Sequence, residues 1–149
     1  MKKKIALLFS VLFACALLAG CGASAASASK QPEVKEPLDL TGNWEEKDAE
    51  DSYQAGYIKD GQIVIYWVSD GGDTKALYWA GSYIAPTESV ETYTWDSVND
   101  KEQTNKSFLA SGDDTKTFTY EDGELTYSAS ALGVTTKMHF VRTDTDYSK

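Results

Sequence analysis

Cysteine is nearly missing from this chain of 149 residues: there are two, Cys15 and Cys21, both near the N-terminus. Nothing after Cys21 can form a disulfide with another later residue, so whatever folds there is held by its core alone. Histidine is scarcer still. His139 is the only one, so a Ser-His-Asp site would have to use it, and no Gly-x-Ser-x-Gly elbow accompanies it. Zinc needs more nitrogen and sulfur ligands than one histidine and one cysteine supply. Basic residues number 14 against 23 acidic, a formal net charge of −9. A surface of that sign is repelled by nucleic acid and by anionic lipid head groups, which excludes nucleic acid as a partner. The pattern assigns no catalytic residue, no cofactor and no metal, and the chain reads as a non-enzyme.

What is present begins with Met1-Lys2-Lys3-Lys4, a basic start, followed by Ile5 to Ala19 with no charged residue. A basic n-region, a short apolar h-region and small residues at the cut describe a secretory signal peptide. The run is shorter than the roughly 20 residues a permanent membrane-spanning helix needs. Its end, Leu18-Ala19-Gly20-Cys21, resembles the lipobox of bacterial lipoproteins. That resemblance implies cleavage after Gly20 and a diacylglycerol group on the Cys21 thiol, carrying fatty-acyl chains such as palmitate. Two acyl chains give stable anchoring where one gives only marginal binding. The expected location is the extracytoplasmic face of the cell membrane, with the membrane itself as a partner through Cys21. Losing Lys2, Lys3 and Lys4 from the 14 basic residues leaves 11 against 23 acidic, so the exported chain carries about −12.

The expected organisation is a signal peptide over 1–20, a flexible linker over 21–38, a β domain over 39–145 and a tail over 146–149. The linker is built of small residues, then proline and charge, and cannot bury enough surface to fold. Its root-mean-square reach is about 20–25 Å. The domain shows no 3.6-residue period with caps. Instead, short β-branched and aromatic runs recur: Ser52–Ile58, Ile63–Val68, Thr74–Tyr83, Glu88–Trp95, Ser107–Ala110, Thr115–Tyr120, Leu125–Ala131 and Val134–Arg142, after a start at Leu38–Trp44. Asp60-Gly61 and Asp122-Gly123 are strong hairpin signals between them. Asp96–Lys106 reads as a polar loop. Eight or nine short strands with tight turns predict an all-β antiparallel meander, closed as a barrel, with an open barrel or a β-sandwich as the alternative.

Leu40-Thr41-Gly42-Asn43-Trp44 resembles the Gly-x-Trp opening of lipocalin-type barrels, and His139-Phe140-Val141-Arg142 resembles their last strand. The resemblance implies that Trp44 plugs the closed end and that Arg142 stacks on it as a barrel-closing pair. The domain is shorter than a full lipocalin and shows no C-terminal helix. The paired carboxylates Asp113-Asp114 and Glu121-Asp122, and the Asp70-Gly71-Gly72-Asp73 run, sit beside glycines and read as turns. The aromatics are the remaining candidates. Trp67, Trp79, Tyr83, Tyr93 and Trp95, with Tyr78, lie on adjacent strands, where they either pack as a core or form a face that binds a ligand. Aromatics on both faces, as at Tyr66/Trp67 and Tyr78/Trp79, leave some rings outside. The functional expectation is a membrane-anchored barrel that binds a small apolar or carbohydrate ligand. The alternative is a protein-interaction or structural envelope module without a ligand cavity.

Overall fold

Apolar–polar alternation broken by Asp-Gly pairs lays the described residues down as eight antiparallel strands. The computed structural model describes residues 35–131 and 133–149; the basic start, the apolar run and Cys21 lie outside them. The chain divides into two units, Met1–Glu33 and Val34–Lys149, and the second holds both hydrophobic clusters. The strands are β1 (Gly42–Glu46), β2 (Tyr53–Lys59), β3 (Gln62–Ser69), β4 (Thr74–Ser82), β5 (Tyr93–Val98), β6 (Thr115–Glu121), β7 (Glu124–Ala131) and β8 (Val134–Arg142). One helical turn, α1 (Lys101–Thr104), lies between β5 and β6.

The strand order is β4-β3-β2-β1-β8-β7-β6-β5. It is a meander in which β1 pairs with β8, through Trp44↔Arg142 and Glu46↔Phe140. The sheet curls into a nearly closed barrel with one seam, where β4 and β5 meet without a continuous ladder. Neighbouring strands alternate in direction, so alternate connections gather at opposite ends. The β1–β2, β3–β4, β5–β6 and β7–β8 connections form the open end. The other connections, with the segments entering β1 and leaving β8, form the closed end.

Local chemistry explains the tight turns. Asp60 and Gly61 (φ 51° and 76°) and Asp122 and Gly123 (φ 51° and 85°) all adopt the left-handed backbone that two-residue hairpins require. Gly56 is demanded by packing instead: a Cβ there would stand 1.9 Å from the Val64 carbonyl oxygen on the paired strand.

Three expectations about elements are corrected. Ser107–Ala110 is not a strand; its backbone turns, with Ala110 N donating to Ser107 O at 3.3 Å, and Phe108 and Leu109 are exposed. The strand expected from Glu88 begins at Tyr93 and runs on to Val98. The expected loop from Asp96 therefore contains the end of β5 and then α1, whose cap is Asp100: its carboxylate accepts from the backbone N–H groups of Glu102 and Gln103.

The interior is one cluster that includes Trp44, Ile63, Ile65, Trp79, Phe118, Tyr127 and Phe140. The closed end is stoppered by Leu40, wholly buried, and by Trp44, whose Nε1 donates to Leu40 O at 3.1 Å. The Arg142 guanidinium lies 4.6 Å from the Trp44 ring centroid and donates to the carbonyls of Thr41 and Asp39, each at 2.6 Å. A second cluster lies on the outside of β2 and β3, where Tyr53, Tyr57 and Tyr66 gather around Ala55 and Val68. Tyr147 is buried against it, so the C-terminal residues expected as a tail pack on the barrel.

Candidate functional site

The β3–β4 register decides what lines the open end. Ile65 pairs with Trp79 and Tyr66 with Leu77, so Tyr78 is an extra residue, a bulge. Simple alternation would place Tyr78 and Trp79 on opposite faces. The bulge turns both rings inward, and both are buried. From the bulge to the start of β4, Tyr78, Ala76 and Thr74 therefore belong to the inner wall.

That wall bounds a cavity of about 700 Å³ at the open end, to which all four open-end connections or their flanking strands contribute. Ser52 comes from the start of β2, Trp67 and Ser69 from β3, Thr74, Ala76 and Tyr78 from β4, Phe108 to Asp113 from the β5–β6 connection, and Ser130 from β7. The volume falls within the range of small-molecule sites, roughly 300–1,000 Å³. Trp67 and Tyr78 meet edge to face with centroids 5.6 Å apart. Phe108 is fully exposed at the rim, beside the half-exposed Leu109.

The β5–β6 connection also crosses the seam. Gly81 and Asn99 form a single bridge between the seam strands. Beyond it, the outer edge of β4 is covered by the connection instead: Asp100 N donates to Ala80 O and Ser111 N to Tyr78 O, both at 2.8 Å, and Ser107 Oγ to Leu77 O at 2.7 Å. These bonds satisfy carbonyls that an edge strand would leave bare. The connection is fastened at its root by Asn99, whose Nδ2 donates to Asp113 O at 2.7 Å and whose Oδ1 accepts from Thr104 Oγ1 at 2.7 Å.

Asp113 in turn meets Lys116. The lysine side chain is only 3 % exposed, and its Nζ stands 2.6 Å from Asp113 Oδ2. It lies over the rings of Tyr78, Trp79 and Tyr127, at 5.2, 5.3 and 5.8 Å from their centroids. Such a cation is tolerated inside because a carboxylate and three ring faces replace its water. The hydrogen bond from Lys116, aided by one from Ser111, holds the Asp113 carboxyl below its usual pKa. Deeper still, the Tyr127 hydroxyl donates to Gln54 Oε1, and burial pushes the Tyr127 phenol well above its ordinary value.

The structure separates the five aromatic candidates. Trp67 lines the cavity. Trp79 is wholly buried, with Nε1 donating to Ser97 Oγ at 3.0 Å. Tyr83, Tyr93 and Phe118 gather around Trp95, their ring centroids 5.1, 5.8 and 5.2 Å from its own. Trp79, Tyr83, Tyr93 and Trp95 thus pack the barrel and its seam, the core alternative of the two, and only Trp67 of the five lines this cavity. Trp44 and Arg142 meet at the closed end, far along the strands from it. Gln54, Lys116, Phe108 and Leu109 belong to the site without being candidates in the sequence. Alternation carried a signal for Lys116, which shares the face of Phe118 and Tyr120. The apolar pair Phe108-Leu109 inside a polar stretch was the other.

The fold and site together define an eight-stranded meander barrel that is packed at one end and hollow at the other. Comparison with protein-family models, with curated proteins and with solved structures finds no match for this chain.

Proposed function

We propose that this chain is a lipid-anchored, extracytoplasmic binding protein that holds a small apolar or carbohydrate ligand at the open end of its barrel, without catalysing a reaction. The observation that carries the reading is the cavity of about 700 Å³ with Trp67, Tyr78 and Phe108 in its wall. Aromatic faces bind apolar bodies and sugar rings alike, and the serine and threonine hydroxyls between them give orientation. The lipobox resemblance at Cys21 supplies the anchor. A second reading, docking of another envelope protein, is favoured by the exposure of Phe108, Leu109 and Val134 at the same end.

Trp67 is the reporter that separates the two. A ligand seated in the cavity is expected to shift tryptophan emission of the Lys35–Lys149 segment, which carries both clusters, and Trp67→Phe is expected to abolish the shift. If no member of a library of apolar compounds and oligosaccharides shifts the emission, the cavity reading gives way to the docking one.

A further inference from the structure

In and behind the cavity wall, two polar side chains each carry a buried atom with nothing to bond. Gln54 is 0 % exposed and Tyr78 is 3 % exposed. Gln54 Nε2 and the Tyr78 hydroxyl are both buried without a hydrogen-bond partner. They belong to one group: Gln54 is the cross-strand neighbour of Trp67 and accepts from Tyr127, while the Tyr78 ring packs between Trp67 and Tyr127. The other unpartnered buried atoms, Tyr83 Oη and Trp95 Nε1, sit among the packed rings of the closed half. An orphaned buried polar group destabilises the fold, because it has given up water and gained no partner. Tyr78 lines the cavity and Gln54 stands behind it, outside the lining, so an occupant whose head reaches past the Tyr78 ring can remove that cost.

What the occupant must be follows from the donor inventory. The Gln54 amide nitrogen only donates, and a hydroxyl does either; the missing partner is an oxygen acceptor. An ammonium, which only donates, could meet the Tyr78 hydroxyl but not the Gln54 amide nitrogen, so it cannot serve both. A carboxylate could accept, but its charge would be buried beside Asp113 in a strongly acidic protein. The cation nearby, Lys116, is already compensated at 2.6 Å. An unpaired buried charge is far more costly than a neutral oxygen.

We infer that the cavity selects an uncharged ligand with an apolar body and an oxygen-bearing head, which enters head first and accepts hydrogen bonds from Tyr78 and Gln54. The inference rests on the binding-cavity reading and narrows its ligand class. The apolar body lies against Trp67, Phe108 and Leu109.

The test titrates the Lys35–Lys149 segment with three probes of one chain length, 1-octanol, octanoate and octylammonium, read by tryptophan emission and calorimetry. Octanol is expected to bind at least tenfold more tightly than either ion. Tyr78→Phe is expected to weaken octanol about tenfold while leaving thermal stability unchanged or higher, because the hydroxyl it removes is unpartnered. The double variant Gln54→Met/Tyr127→Phe, which avoids orphaning the Tyr127 hydroxyl, is expected to do the same. Equal binding of octanol and octanoate, or octanol binding indifferent to Tyr78→Phe, overturns the inference and leaves the cavity reading intact. Failure of all three probes to bind overturns the inference, while the cavity reading then stands or falls with the library titration of apolar compounds and oligosaccharides.

Discussion

Lys116 is the residue whose placement costs most and explains most. Its ammonium is enclosed by three aromatic rings and depends on one carboxylate, Asp113, which is itself half exposed. Removing one member of a buried pair costs about 3–5 kcal/mol. The solvent access of Asp113 reduces that, so Asp113→Asn is expected to cost about 2 kcal/mol in urea unfolding. The pH dependence has a definite sign. The folded Asp113 carboxyl titrates below its unfolded value, so its contribution is full above about pH 4 and is lost as the pH falls through the folded pKa. The acid limb of the wild-type stability profile is expected to be shallower in Asp113→Asn. An unchanged limb would mean that the ion pair contributes nothing to acid stability.

At the scale of elements, the seam is the distinctive feature. The seam is tightly packed at Gly81, where an added Cβ would stand 2.4 Å from Ser97 Oγ, 2.7 Å from Trp79 Nε1 and 2.7 Å from Val98 O. Two of those atoms form the Trp79–Ser97 hydrogen bond. Gly81→Ala is therefore expected to force the seam apart and cost about 2 kcal/mol by overpacking. Amide exchange at Asp100 and Ser111, which donate across the seam, should accelerate more than exchange in β7 and β8. The meander was legible because its signals are local: Asp60-Gly61 and Asp122-Gly123 set turns whatever lies across from them. The β3–β4 bulge was not, since it exists only relative to a partner strand, and it inverts the faces of Tyr78 and Ala76. Nor was the inward face of β2. Alternation there pairs Tyr53, Ala55 and Tyr57 against Gln54 and Gly56, and the aromatic set looks like the core face. Gly56 decides otherwise, because only a residue without Cβ fits so near Val64, while Tyr147 arrives from far along the chain to cover the tyrosines outside.

On the scale of the whole molecule, the proposal joins a tether to a receptor, and the tether is tested separately. Cys21→Ser is expected to abolish lipid labelling and move the protein from the membrane fraction to the soluble one, with barrel stability unaltered. Retention of the serine variant in the membrane would remove the anchor from the proposal. The two ends of the barrel are built differently. Arg142, Trp44 and Leu40 make one end solid, and the other is left hollow by small residues such as Ala76, Ser52 and Ser130. The hydrogen bond from Ser111 N to Tyr78 O has a role in both the seam and the cavity. It ties the rim carrying Phe108 to the very residue that forms the wall. Under the proposed function, widening the doorway would also loosen the pocket, and the rate at which a guest arrives and the time it stays would depend on the same latch. Variants that stiffen this connection should slow association and dissociation together, leaving affinity nearly constant.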